Sequence, residues 1–224
     1  FAVVLENISV CEIMFRRIIP TLLMGLVIWL SNELVQHPVQ GFLFGIDLSL
    51  VLTWGAFTYP VAFLITDTTN RLFGVGPARR VVAVGFAFGV GLTTIAALAI
   101  AADVSRSAQL SIWQALFSDP NAFAMLRTAV ASGSAFLTAQ LLDIKVFDVL
   151  RESTWWKAPA ASSFLGSVVD TAIFFSFAFA GTGLPWISWA FGDFCAKIVM
   201  VVLLLYPFRL FVRLYPDSRR SPVL

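Results

Sequence analysis

The sequence predicts an all-α integral membrane protein with six transmembrane helices, and three observations carry that reading. The first is composition. Of 224 residues, 59% are hydrophobic and 12% charged, with mean hydropathy +0.88, whereas a soluble domain is roughly 45–50% apolar and about 25% charged. The second is that the apolar residues gather into six stretches, each near the ~20 residues a helix needs to cross the hydrocarbon layer. The third is that Lys and Arg concentrate in alternate connections. Other classes fall away on counts. One His and two Cys leave no set of ligands for a zinc cluster and no disulfide scaffold. A net charge of +2 is too weak for a nucleic-acid partner, and 22 Phe with 7 Trp exclude a disordered chain.

The spans follow in order. The first runs from Ile18 to Val35, behind Arg16 and Arg17. The second, from about Phe44 to Phe73, is long for one crossing, and Thr58-Tyr59-Pro60 should interrupt it because proline removes an intrahelical hydrogen bond. The third is Val81 to Ala102, the fourth about Phe123 to Phe147, the fifth about Ala160 to Ala180 and the sixth about Trp186 to Leu210. No connection leaves room for a second folded unit, so residues 1–224 read as one domain. Residues Phe1 to Phe15 carry Glu6 and Glu12 without a leading basic region and do not read as a signal peptide.

Lys and Arg set orientation. Arg16, Arg17, Arg71, Arg79, Arg80, Lys145, Arg151, Lys157, Arg209, Arg213, Arg219 and Arg220, 12 of the 15 basic residues, fall on one side of a six-span chain. The other side has Arg106, with Arg127 at the start of span four; Lys197 lies inside span six. Both termini are therefore expected in the cytoplasm.

Ionisable residues inside spans cost about 2.5–3.5 kcal/mol each on insertion scales and so call for a partner or a task. Asp67, Asn70 and Arg71 are spaced i, i+3, i+4 and share a helix face; Gln140 and Asp143 are three apart; Asp193 and Lys197 are four apart with the acid first, the favourable order. Lys197 lies about eleven residues into span six and Asp170 about ten into span five, at similar depth. Each pair also has a plainer reading, as an ion pair tethering helix ends or a buried intrahelical bridge. Asp170 has no charged neighbour at helical spacing and must look to another helix, which makes it the candidate for a coupling proton or a ligand contact. Gly85 with Gly89, and Ala97 with Ala101, are small-residue pairs of the kind that let helices approach closely. Trp155 and Trp156 beside Lys157 read as an interfacial aromatic belt. A Phe-Leu step precedes Asp67, Asp143 and Asp170 at unequal distances, a weak internal echo.

Enzyme signatures are missing. There is no P-loop, no dinucleotide-binding glycine pattern, no His-Glu-x-x-His and no Gly-x-Ser-x-Gly. Ala190-Phe191-Gly192-Asp193 approaches an intramembrane aspartyl-protease motif but lacks its first glycine and a Tyr-Asp partner. No catalytic residue and no metal or cofactor site is expected.

Several motifs together resemble one family. Thr53-Trp54-Gly55-Ala56-Phe57-Thr58-Tyr59-Pro60, then Phe63-Leu64-Ile65-Thr66-Asp67 and Arg71-Leu72-Phe73-Gly74, are similar to the signature of the queuosine-precursor transporters, in the vitamin-uptake-transporter-like group. So are Gln140 to Phe147, Trp155-Trp156-Lys157-Ala158-Pro159, Ala161-Ser162-Ser163 through Val169-Asp170-Thr171, and Asp193-Phe194-Cys195-Ala196-Lys197, with Ser31-Asn32 and Pro38 extending the match into span one. The chain departs at Arg71, where much of the wider group has Glu. The resemblance implies six helices in a bacterial inner membrane and uptake of 7-cyano-7-deazaguanine, with its 7-aminomethyl relative as a second substrate. It makes Asp67, Asn70, Arg71, Gln140, Asp143, Asp170, Asp193 and Lys197 the candidate substrate contacts, and Trp54 and Phe174 the candidate stacking partners. Carboxylates suit the N–H donors of a deazaguanine edge, and a flat ring stacked on an aromatic gains about 1–3 kcal/mol by nucleic-acid precedent. The alternative in the same class is a substrate-binding subunit working with a separate ATPase module, as in energy-coupling-factor vitamin transporters; a homodimer is a further assembly to weigh, and a structural scaffold is the rival from another class.

The charge asymmetry makes a direct prediction. A reporter fused after Leu224 should be cytoplasmic and one inserted between Gly181 and Trp186 periplasmic, read by paired phosphatase and fluorescent-protein fusions.

Overall fold

The structure is a computed structural model that describes residues 18–34, 37–43 and 45–214. Arg16, Arg17, Arg219, Arg220 and the segment Phe1 to Phe15 lie outside the described residues. Eight helices are present among those described: α1 (Ile19–Leu34), α2 (Gly55–Thr58), α3 (Val61–Phe73), α4 (Val75–Ala108), α5 (Ile112–Ser118), α6 (Pro120–Leu150), α7 (Lys157–Phe179) and α8 (Trp186–Leu214). Of these, α4, α6, α7 and α8 are long and apolar enough to cross a membrane. At 1.5 Å per residue, the 16 residues of α1 reach about 24 Å, short of the ~30 Å hydrocarbon layer. The outward faces are strongly apolar, with Leu22, Ile95, Phe191, Val202 and Leu203 all exposed. Contiguous apolar surface of this extent is a membrane-facing surface, and the chain is a multi-pass integral membrane protein.

The long helices lie close to their expected positions, extended by a few residues at their ends. The start of the second span does not: Phe44 itself lies outside the described residues, and the described residues around it are not helical. They form a two-stranded hairpin, β1 (Phe42–Leu43) with β2 (Ile46–Asp47), in register Phe42 with Asp47 and Leu43 with Ile46. Gly45 supplies the positive φ of its turn. Asp47 then caps a 3-10 turn at Leu48–Leu50, accepting from Ser49 N at 3.0 Å and Ser49 Oγ at 2.8 Å. Helical structure resumes in two pieces, α2 and α3, which meet at Tyr59-Pro60 with both residues in right-handed helical conformation. The short helix α5 was not anticipated; a reciprocal Ser111–Gln114 capping box starts it and Asp119, accepting from Asn121 N and Ala122 N, starts α6 behind it.

Close packing accounts for the small residues. α1 lies on α4, and a Cβ at Gly85 would sit 2.6 Å from Met24 Cγ, while one at Gly89 would be 2.9 Å from Ile28. Met24, Ile28, Ala62, Ile65, Val81, Val82, Phe136 and Ile144 form the main apolar core between α1, α3, α4 and α6. Ala97 and Ala101 pack with Ala115, Leu116 and Ala122, seating α5 against α4 and α6. At Gly192 on α8 a Cβ would collide with the carbonyl oxygen of Val51, so the loop after the hairpin rests directly on the helix backbone.

Four of the described basic residues, Arg71, Arg151, Arg209 and Arg213, meet at one end. Arg71 donates to the Arg151 carbonyl (2.9 Å) and Arg151 returns a bond to the Arg71 carbonyl (3.1 Å), while Arg209 lies 4.6 Å over the Trp155 ring. At the opposite end Arg127 caps α7, donating to Phe177 O (2.7 Å) and Ala180 O (2.6 Å), which explains a cation at the start of α6. The packing yields a stability prediction. Gly85→Val forces a side chain into Met24 and should cost about 1–3 kcal/mol, seen as a lowered melting temperature in detergent, whereas Gly91→Ala, whose Cβ meets nothing within 4 Å, should melt like the parent.

Candidate functional site

The candidate residues resolve into two buried polar centres and a latch. The first centre joins α7, α8 and the junction of α2 with α3. Lys197 on α8 is 3% exposed and Asp170 on α7 4%. The ammonium donates to Asp170 Oδ2 at 2.8 Å and to Thr171 Oγ1 at 3.1 Å, and it is 2.6 Å from Asp193 Oδ2, one turn back on its own helix. Thr171 in turn donates to Asp193 (2.9 Å) and Tyr59 OH to Asp170 Oδ1 (3.2 Å). The ammonium also lies 5.3 Å from the Tyr59 ring centre. Two carboxylates around one ammonium leave a formal charge of −1 on a well-bonded cluster. That is how buried ions are made tolerable, by pairing and by filling the remaining donors and acceptors.

This cluster forms part of the wall of a cavity of about 530 Å³, within the roughly 300–1,000 Å³ typical of small-molecule sites. Asp170, Asp193 and Lys197 share the lining with Tyr59, Phe174 and Trp29. Around the remainder are Ser31, Thr93, Thr128 and Ser132. Phe174 belongs to an aromatic group, edge-on to Phe175 (5.2 Å) and Phe179 (5.9 Å), with Phe179 edge-on to Trp189. The cavity thus offers acceptors, one strong donor and flat apolar surface together.

The second centre lies between α3, α6 and α7 and does not line that cavity. Asp67 accepts from Ser162 Oγ and Ser163 Oγ, both at 3.1 Å. Asp143 sits beside Asp67 and Ser162, fully buried, with neither carboxylate oxygen at hydrogen-bond distance from a partner. Gln140 accepts from Thr66 Oγ1 at 2.6 Å. Among the described residues no Lys or Arg pairs with either aspartate. Asn70 and Arg71 belong to the latch at the basic end: Asn70 Nδ2 donates to Ile144 O (3.1 Å), and Arg151 Nη2 donates to Asn70 O (2.7 Å) and Asn70 Oδ1 (2.6 Å).

Of the ten candidates, then, Asp170, Asp193, Lys197 and Phe174 meet at the cavity. Asp67, Asn70, Arg71, Gln140 and Asp143 gather away from it. Trp54 is half exposed and packs 5.9 Å from Phe57, outside the lining, although its neighbours Gly55 and Ala56 are in it. Tyr59, Thr171, Ser31 and Trp29 were missed. Tyr59, Thr171 and Ser31 all stand inside the motifs that carry the family resemblance, which was the available signal for them; nothing local marks Trp29.

A multi-pass helical protein with a polar cavity of ligand size has the build of a small-molecule transporter. Comparison with known proteins says which kind. Residues 53–212 match the family described as "Putative vitamin uptake transporter", and the chain belongs to that family. It is 38% identical over 190 residues to the queuosine precursor transporter of Escherichia coli, covering 81% of this chain and 79% of that one. It is 34% identical over 195 residues to the probable queuosine precursor transporter of Haemophilus influenzae, with the same coverage, and 28% identical over 172 residues to that of Bacillus subtilis, covering 70% and 69%. No solved structure matches.

The triad sets a stability expectation. Lys197→Met leaves Asp170 and Asp193 facing each other without their cation, and breaking a buried pair this way costs about 3–5 kcal/mol. Purified in detergent, this variant should melt well below the parent, and adding Asp170→Asn should recover part of the loss.

Proposed function

We propose that this protein imports a queuosine precursor, 7-cyano-7-deazaguanine or its 7-aminomethyl relative, across a bacterial inner membrane, binding it in the cavity beside Lys197. The observation that carries the reading is the Asp170–Lys197–Asp193 cluster on the wall of a cavity of ligand size. A deazaguanine edge presents adjacent N–H donors next to a carbonyl oxygen. Carboxylates accept from such donors, and the ammonium, by exchanging its bond to Thr171 for one to the substrate, donates to such a carbonyl. Phe174 and Tyr59 supply the ring faces for stacking. The names of the relatives support this substrate class. Six crossings with both termini in the cytoplasm are the topology we assign, α1 and the α2–α3 pair being the two short ones.

Uptake of labelled 7-cyano-7-deazaguanine by proteoliposomes containing only this chain tests the proposal. Time-dependent accumulation or counterflow is the expected result. Binding without uptake until an ATPase module is added would instead mark an energy-coupling-factor type subunit. The two polar centres separate by calorimetry on the purified protein: Asp193→Asn should weaken precursor binding at least tenfold, while Asp143→Asn, which keeps the side chain's size, should bind within about twofold of the parent. The opposite order would move the substrate to the α3–α6–α7 centre.

A further inference from the structure

A second cavity, of about 210 Å³, opens at the basic end of the bundle, and its lining contains Arg71, Arg151, Arg209 and Arg213 but no Asp or Glu. The inner two guanidiniums serve the latch between helix ends: Arg151 bonds Asn70 and the Arg71 carbonyl, with Asp148 accepting at 3.2 Å, and Arg71 bonds the Arg151 carbonyl. The outer two are different. Arg209 and Arg213 stand one turn apart on α8, where like charges repel. Both are exposed, and among the described residues neither has a carboxylate within salt-bridge distance. Arg209 is held over Trp155, so its position is set by packing and not by an anion of the protein. The walls are otherwise apolar, built on Phe147 and Phe208 packed edge to face at 6.0 Å.

We infer that this cavity is a binding site for the phosphate of an anionic phospholipid headgroup. Guanidinium forks suit phosphate oxygens, which they bind in pairs of parallel hydrogen bonds. Basic pockets between transmembrane helices at the cytoplasmic face are where anionic headgroups lodge, and this is the end to which the charge asymmetry assigns the cytoplasm. The surroundings point to lipid over a dissolved anion. Leu210, Phe211 and Leu214 beside the arginines on α8 are exposed apolar residues, and Trp155 and Trp156 are about two-fifths exposed in the manner of an interfacial belt. A headgroup at this level has hydrocarbon to accept its acyl chains.

The inference stands apart from the transport reading and has its own test. Full-length protein in mild detergent is titrated with phosphatidylglycerol or phosphatidylethanolamine and read by native mass spectrometry, with and without millimolar inorganic phosphate. The expected result is at least fivefold greater retention of phosphatidylglycerol, insensitive to inorganic phosphate. Arg209→Gln with Arg213→Gln should lower that retention at least fivefold while the lipid-free melting temperature stays put. Should the double variant fail to fold, Arg213→Gln alone should lower it at least twofold. Equal retention of the two lipids, or unchanged retention in the variant, overturns the site. Displacement of phosphatidylglycerol by inorganic phosphate overturns the lipid assignment in favour of a dissolved anion.

Discussion

A single ammonium group organises the centre of this molecule. Lys197 is buried, and its ammonium is met by Asp170, Asp193 and Thr171, while Asp170 also accepts from Tyr59. These bonds tie α7 to α8 and both to the α2–α3 junction. Leaving one member of a buried pair unmatched is worth several kcal/mol, a large share of the ~5–15 kcal/mol that keeps a typical domain folded. The cavity therefore inherits its shape from an electrostatic requirement. Its wall is polar where the helices must be charged, and apolar where aromatic side chains fill the rest.

The parts of this architecture that depend on local pattern were legible. Long apolar runs located α4, α6, α7 and α8, and the alternation of Lys and Arg placed Arg71, Arg151 and Arg209 at one end, where the structure joins them through Asn70 and Trp155. The spacing of Asp193 and Lys197 announced their pairing. The hairpin of β1 and β2 was not legible. A short apolar segment reads alike as strand or as buried helix, and only Gly45 and Asp47, with their turn-forming chemistry, pointed the other way.

The candidate site was legible by residue type and only in part by level. Helical spacing tells which residues share a face, but says nothing about how far one helix is shifted along its neighbour. So Asp67 and Asp143, correctly seen as buried and polar, were grouped with a cavity they do not line, whereas Asp170 and Lys197, counted to similar depth in their spans, are in contact across 27 residues. The serines that satisfy Asp67 come from α7, 95 and 96 positions away, a distance at which no periodicity operates.

The contact of Val51 with Gly192 couples two segments that a helix count treats as unrelated. Backbone meets backbone there, so no side-chain rotation can open a gap. The turn that follows the hairpin is therefore seated directly on the backbone of α8. The aspartate that follows Gly192 is Asp193 of the Lys197 cluster, so this backbone contact lies one residue from the charged wall of the cavity.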